Sequence, residues 1–157
     1  MTTIEERLRL LEDEQDILKT LYAYGHSIDY GLEADWLDCW AEDAVLQWPN
    51  RDPIKGHAAL RAAFRVHTHA PTAFHKHVIV EPRIAIAGDR ATAQTMFARL
   101  DRYKSGPALR SFGRYLDVLA RESEWWRTGV GENHTGSRGR SVPVWCEVHH
   151  PLGCCGW

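Results

Sequence analysis

The feature that most constrains the fold is a series of three long strand-like segments in the second half of the chain. Their residues are β-branched, aromatic or alternately apolar and polar, and short turns that contain glycine separate them. The three segments are residues 74–87, 90–103 and 109–121. Because short glycine turns join antiparallel neighbours, the pattern predicts an antiparallel meander. These segments far exceed the usual strand length of ~5–6 residues, so strong bending is expected.

The residues before this meander have helical patterns. Overlapping capping-box signatures at Thr2 and Thr3 begin a first helix, whose apolar residues recur at helical spacing. This helix is predicted to end near Asp29, because Gly31 suits a left-handed C-terminal turn. The other elements predicted before the meander are a helix at 33–41, a strand at 44–48 and a helix at 56–69.

Helices followed by an antiparallel meander indicate an α+β fold. We expect three N-terminal helices to pack on a strongly bent, mainly antiparallel sheet that forms a cone-shaped barrel. A cone of this kind has a hollow interior, and an enclosed concave surface favours a small-molecule pocket.

The composition fits one ordinary globular domain. The chain has 157 residues, a net charge of −2 and 44% apolar residues, so neither disorder nor two separate cores is expected. No uncharged apolar run is long enough to span a membrane, and the charged N-terminus does not resemble a signal peptide, which together predict a cytoplasmic protein. Lysine and arginine are dispersed rather than clustered, which argues against nucleic-acid binding.

The last part of the chain departs from this pattern. Residues 123–157 have no sustained helical or strand period and are rich in glycine, tryptophan and cysteine. We therefore predict a domain over residues 1–122 and an atypical tail over 123–157. The tail is either a remodelled last strand or the product of a change of reading frame in the gene. Three of the four cysteines lie in this tail, and without a secretory signal a disulfide framework is not expected.

Two segments carry the residues best suited to acid–base chemistry. Asp29 lies at the end of the first helix, and His75 and His77 lie at the start of the first long strand. Residues two apart in a strand point to the same face, so both imidazoles are expected on one side of the sheet. A carboxylate that reaches one of them would fix its tautomer and raise its basicity. The residues alone leave structural roles open, since an Asp near a Gly often caps a turn.

Several stretches of the sequence carry a resemblance to a known family. They are LEDEQDILKTLYAYGHSIDYGLEADWLDCWAEDAVLQW, GHAALRAAF, FHKHVIVEPRIAIAGDRATAQTMFARLDRY and SFGRYLDVLAR. Across residues 12–122 the chain resembles the SnoaL-like branch of the nuclear transport factor two-like superfamily, which implies a cystatin-like fold. Within that superfamily, the pattern is similar to that of the scytalone dehydratase, bile-acid dehydratase and hexachlorocyclohexane dehydrochlorinase group.

The resemblance implies a set of site residues. Asp29 and His77 match the catalytic Asp and His of that group, with His75 as the alternative histidine. Tyr24 matches a tyrosine that could polarise a substrate oxygen, and Arg121 matches a cation that stabilises developing negative charge. Further candidates are Trp48 and Phe97 as pocket residues and Asp117 as a base of the kind used by polyketide cyclases.

Two positions depart from the family pattern. Glu81 stands where group members usually have Asn. The last strand of the family usually reads W-R-I-x-x-R, whereas Trp126 and Arg127 are followed here by Thr128. The first departure leaves the register of His77 open, with His75 as the alternative, and the second predicts an altered last wall of the cone.

Four histidines near the start of the first long strand are also candidates for a metal site. His67, His69, His75 and His77 could supply imidazoles, but no standard zinc spacing is present. The resemblance implies neither a metal nor another cofactor, so none is expected.

The sequence therefore predicts a cofactor-independent lyase (a dehydratase or dehydrohalogenase) or isomerase that acts on a small cyclic, aromatic or steroid-like molecule. The alternative is a non-catalytic ligand-binding or assembly module, similar to the small subunits of ring-hydroxylating dioxygenases. Sheets of this type often pair across their exposed faces, so a homodimer or homotrimer is expected.

Overall fold

A computed structural model describes residues 2–49, 51–67, 69–70, 73–123 and 125–135. The helices are α1 (Ile4–Tyr30), α2 (Glu33–Asp38) and α3 (Gly56–Val66). The strands are β1 (Trp40–Gln47), β2 (Ile54–Lys55), β3 (His75–Ala87), β4 (Arg90–Tyr103), β5 (Gly106–Glu122) and β6 (Trp125–Thr135). Among the described helices, none combines the length and apolar character needed to cross a membrane.

The ends of α1 follow from local side-chain chemistry. The Thr3 hydroxyl accepts the Glu6 backbone N–H at 3.1 Å, and the Glu6 carboxylate accepts the Thr3 N–H at 2.7 Å. This capping box confirms the predicted start of the helix. At the other end Gly31 adopts a φ of 73°, and its N–H donates to the Ser27 carbonyl. The helix therefore ends where the glycine allows a left-handed turn.

The described strands form one six-stranded sheet in the order β2-β1-β6-β5-β4-β3. Strand β1 pairs in parallel with β6, and the other neighbours are antiparallel, as expected for a mainly antiparallel sheet. The sheet carries three N-terminal helices, which confirms the α+β architecture. The order is linear, so the sheet is open, with β2 and β3 at its edges.

The predicted end of the second helix needs correction, and β6 is the cause. The expected second helix at 33–41 ends at Asp38, because the Thr128 N–H donates to the Cys39 carbonyl at 2.9 Å and Trp40 already pairs with Thr128. Strand β6 lies within the residues predicted as an atypical tail, and it extends the sheet to Thr135. The tail beyond residue 135, with its cysteines and the hypothesis of a reading-frame change, lies outside the described residues.

A β-bulge bends the long strand β3. The pairing with β4 shifts by one residue between Val80 and Arg83, and Glu81 at the bulge has a φ of 47°. Asparagine tolerates this left-handed conformation better than most residues, which gives a physical reason for the family preference at this position. Because of the shift, odd-numbered side chains face inward before the bulge and even-numbered ones after it.

The core lies between the concave face of the sheet and the helices. One buried cluster joins α2, α3 and β1 and includes Trp36, Trp40, Leu60 and Phe64. A second joins α1 to the strands through Ile17, Leu21, Ala91, Ala93, Leu119 and Trp126. Space remains between the two clusters, and the candidate site occupies it.

Candidate active site

Helix α1 brings its C-terminal residues against the edge strand β3. Gly25 makes this approach possible, because a Cβ at that position would lie 3.3 Å from Ile79 and 3.7 Å from the His77 Cβ. One turn later Asp29 is buried, with only 3% of its surface exposed. The small residue thus sets the distance at which the carboxylate meets the strand.

Asp29 holds His77 by two hydrogen bonds. The His77 Nδ1 lies 2.7 Å from Asp29 Oδ1, and the His77 backbone N–H donates to Oδ2 at 2.9 Å. Strand β3 is at the sheet edge, so this N–H has no strand partner and the carboxylate satisfies it. Both carboxylate oxygens are therefore used to fix one histidine.

The electrostatics of the pair favour a carboxylate beside an oriented imidazole. Burial disfavours the charged form of Asp29, but the hydrogen bonds from the His77 ring and backbone outweigh it, so the pKa of Asp29 is lowered. A carboxylate at Nδ1 selects the tautomer that carries its proton there. The lone pair of Nε2 is then free to accept a proton, and no described residue forms a hydrogen bond to that nitrogen.

The outer cavity, as we call the space in front of His77, has a volume of about 340 Å³. This is the size of a small ligand pocket. Its apolar wall is formed mainly by aromatic rings, and its polar groups include His77 and two arginines. The lining residues are Tyr24, Ile28, Trp36, Trp48, Arg51, Ala63, Phe64, Val66, His67, His77, Arg99, Tyr115 and Asn133.

Two of the expected pocket residues line this cavity together with His77. Tyr24 packs edge to face against Tyr115, with 5.6 Å between ring centroids, and Trp48 lies at the cavity wall. Burial, and then the negative charge of Asp117, raises the pKa of Tyr24 well above its usual value. The phenol therefore remains a hydrogen-bond donor at neutral pH.

Two other expected pocket residues lie behind the wall. Phe97 is buried and stacks on Tyr115 at 4.3 Å, so it supports the cavity without lining it. His75 is also buried, and its Nε2 lies 3.4 Å from Asp29 Oδ1 without hydrogen-bond geometry. Burial, assisted by the charge of Arg99, lowers the pKa of His75 and favours its neutral form. His77, not His75, is thus the histidine presented to the cavity.

Arg121 lies at the opposite end of the sheet. Its guanidinium pairs with Asp13 at 2.5 Å and with Asp89 at 3.2 Å, and it lies over the Trp126 ring. On β4, Arg90 pairs with Ala120, the residue before Arg121, whereas Arg99 pairs with His77. The length of β4 from Arg90 to Arg99 therefore separates Arg121 from His77 by roughly 30 Å. The arginine therefore joins α1 to the sheet and does not line the outer cavity.

The cation near the dyad is Arg99, which sequence reasoning missed. It lines the outer cavity and is held by Asp101, with Nε 2.7 Å from Oδ1. Counting back from the turn at Gly88 would place Leu100 opposite His77, but the bulge moves the register by one residue. Arg99 could have been placed opposite His77 from the sequence only if a bulge had been recognised near Glu81.

Next to the outer cavity lies a much narrower space, the inner chamber. The two share Tyr24, Tyr115 and Asn133 in their walls. Asp117 also lines the inner chamber, and burial raises its pKa to about 7. This carboxyl is surrounded by neighbouring side chains even though part of the residue is accessible from the outer face of the sheet. Asp117 therefore exchanges a proton near neutral pH.

Asp29, His75 and His77 could also contribute to a metal site. One potential ligand atom from each lies within 4.8 Å of the others. Two imidazoles and a carboxylate suit several divalent metals. In the described geometry, however, both Asp29 oxygens accept hydrogen bonds from His77, and this arrangement is the one expected of an acid–base dyad.

Comparison with solved structures places the fold among known proteins. An NTF2-like protein with a cystatin-like fold from Novosphingobium aromaticivorans is 25% identical, with a TM-score of 0.77, over 85% of this chain and 90% of that one. A provisionally assigned scytalone dehydratase from the same organism is 14% identical, with a TM-score of 0.71, over 88% and 97% of the two chains.

A third similar structure is the β subunit of a provisionally assigned aromatic-ring-hydroxylating dioxygenase, also from Novosphingobium aromaticivorans. It is 17% identical, with a TM-score of 0.66, over 87% of this chain and 96% of that chain. No curated protein sequence matches the chain significantly. The sequence profile of the SnoaL-like domain matches residues 9–130, a range that includes both Asp29 and His77. The chain belongs to the SnoaL-like domain family.

Proposed function

We propose that this protein is an acid–base lyase or isomerase that acts on a small cyclic molecule, with His77 as the base. The observation that carries the proposal is the pairing of the buried Asp29 with the partly buried His77, at 2.7 Å, beside an aromatic cavity of about 340 Å³. A carboxylate that orients an imidazole toward a cavity is the arrangement that proton transfer to and from carbon requires.

The reaction begins at a carbon next to a carbonyl group. His77 Nε2 takes the proton, the C–H electron pair forms a C=C bond to the carbonyl carbon, and the carbonyl π electrons move to its oxygen, which gives an enolate. Asp29 stabilises the resulting imidazolium through Nδ1. The Tyr24 phenol and the Arg99 guanidinium line the same cavity and can stabilise the enolate oxygen, a role that the family resemblance implied for Tyr24 and Arg121.

The second step decides between the two reaction classes. When the neighbouring carbon carries a hydroxyl, the enolate electrons form a double bond and the hydroxyl departs with the proton from His77, which releases water. When the proton returns to a different carbon, the product is an isomer. Both outcomes use the same dyad, and proton transfer of this kind contributes about 10²–10⁴-fold to a rate.

A screen of cyclic β-hydroxyketones tests the proposal, because dehydration gives a conjugated enone that absorbs in the ultraviolet. We expect wild-type protein to release the enone and His77→Gln to lose the activity by at least about 10²-fold. His26→Gln is the matched control, since His26 is an exposed histidine on α1. Equal activity in wild type and His77→Gln would remove the dyad from the mechanism. A pocket that binds such ketones without converting them would support the ligand-binding alternative.

We further propose that the protein forms a homodimer or homotrimer through the outer face of the sheet. Val78, Val80, Met96 and Phe112 all point outward on neighbouring strands, and each has at least 38% of its surface exposed. A second copy would bury this apolar face. Light scattering coupled to size exclusion would show a larger species in wild type and a monomer in Met96→Glu, and a monomeric wild type would contradict the proposal.

A further inference from the structure

The inner chamber has room for very little. Its volume is about 20 Å³, which is enough for one water-sized group. It lies beyond Tyr24 and Tyr115 as seen from the outer cavity, and Asn133 contributes to both walls. A ring in the outer cavity could therefore place one substituent, and no more, into the chamber.

Three residues that line this space carry buried polar atoms without a partner among the described residues. Thr95 Oγ1 and Trp40 Nε1 are buried and form no hydrogen bond within the described residues, and the same holds for Asn133 Oδ1. All three side chains line the inner chamber, and those of Thr95 and Trp40 are at least 98% buried. A buried polar atom without a partner costs about 1–3 kcal/mol. The folded protein therefore bears this free-energy cost at several residues that line one small chamber.

Asp117 adds a fourth group to this set. Its carboxyl oxygen is adjacent to Gly131, and among the described residues it has no hydrogen-bond or ion-pair partner. With a pKa near 7, much of the carboxyl is protonated at neutral pH and can donate. A negatively charged group would be repelled by the ionised fraction and by Glu132, which also lines the chamber.

We infer that the inner chamber, with Thr95, Trp40 and Asn133 in its walls, binds a single hydroxyl group of the substrate. A hydroxyl both donates and accepts, and the wall offers both partners: the Trp40 N–H donates, the Asn133 carbonyl oxygen accepts, and the Thr95 hydroxyl does either. A keto oxygen would leave Asn133 Oδ1 unpaired, and an anionic group would be repelled by Asp117 and Glu132.

This inference rests on the proposed function for the reaction, and it names the substrate class. The substrate is a hydroxylated ring compound whose reacting carbon lies at His77 and whose hydroxyl lies at the other end, in the inner chamber. The ring between them contacts Tyr24 and Tyr115, which line both spaces.

The test compares the binding of 2-naphthol and naphthalene, which differ by one hydroxyl, with tryptophan fluorescence as the readout. We expect 2-naphthol to bind wild type at least about tenfold more tightly, because naphthalene leaves the chamber's polar atoms unpaired. Thr95→Val should reduce this preference to within about twofold. Thr92→Val is the matched control, since Thr92 is an exposed threonine on the same strand and should leave the preference unchanged.

Further variants separate the chamber from the dyad. Asn133→Leu provides a second loss of preference if Thr95→Val does not fold. His77→Gln should abolish turnover and keep the naphthol preference, so failure of the catalytic proposal leaves this result intact. A wild type that binds both probes equally, or a preference that is lost in His77→Gln and kept in Thr95→Val and Asn133→Leu, would overturn the inference.

Discussion

Replacing Asp29 with asparagine should reverse the tautomer of His77. The carboxylate accepts from the His77 backbone N–H through one oxygen and from Nδ1 through the other. An amide has a single oxygen, and the edge N–H needs an acceptor because no strand pairs with it. The amide NH₂ then faces Nδ1, which must become an acceptor. The proton therefore moves to Nε2, the atom that we propose as the base.

The magnitudes follow from the two bonds. A hydrogen bond to a charged group contributes about 1.5–3 kcal/mol, and a neutral one about 0.5–1.5 kcal/mol. Asp29→Asn makes both bonds neutral, so we expect the free energy of unfolding to fall by about 2 kcal/mol. Activity should fall further, by about 10²–10⁴-fold, because a protonated Nε2 cannot accept a proton.

Nitrogen-15 NMR of histidine-labelled protein reads the tautomer without a substrate. At a pH where the histidines are neutral, wild-type His77 should carry its proton on Nδ1 and Asp29→Asn should carry it on Nε2. The exposed His26 serves as an internal reference that does not change. The same tautomer in both proteins, or a stability change below about 0.5 kcal/mol, would refute the reasoning.

Three further predictions concern stability. Arg121→Met removes the ion-pair partner of the buried Asp13, which among the described residues keeps only the Trp126 N–H, and should cost about 2–3 kcal/mol in urea unfolding without slowing turnover; a slower reaction at unchanged stability would restore the arginine to the site. Gly131→Ala places a Cβ 2.9 Å from the Trp40 ring and should cost about 1–3 kcal/mol, whereas Gly129→Ala meets only ordinary contacts. The pKa of Asp117 is raised to about 7 in the folded protein, so as pH rises this carboxyl loses its proton in the unfolded chain before it does so in the folded one. The contribution of Asp117 to the free energy of unfolding should therefore decline as pH rises from about 4 to about 7. Asp117→Asn should lack this part of the decline, and an identical pH profile in both proteins would contradict it.

Local signals in the sequence predicted much of the fold. The capping box at Thr3, the left-handed turn at Gly31 and the strand at 90–103 all lie where the pattern placed them. Each is determined by chemistry within a few residues. The parallel pairing of Trp40 with Thr128 joins distant segments, and no local pattern distinguished that strand from the end of a helix.

The pairing of Asp29 with His77 in the candidate site could be predicted from the sequence, whereas the cation beside that pair could not. Asp29 and His77 were accessible from the sequence because a helix end and a strand start each carried one acid–base residue and the family pattern linked them. Arg99 was not, because one extra residue at the bulge near Glu81 decides which side chains of β4 lie opposite β3. Arg121 has the right charge, but its buried partner Asp13 lies on a helix turn that the sequence did not connect to it.

The central claim is that His77, oriented by Asp29, removes a proton from carbon within the outer cavity. The most direct test is the exchange of the α-protons of 2-tetralone in D₂O, followed by proton NMR with wild type, His77→Gln and Asp29→Asn. We expect saturable exchange in wild type that falls by at least about 10²-fold in both variants. Exchange at the same rate in all three proteins, or at the buffer rate in wild type with 2-tetralone bound, would contradict it.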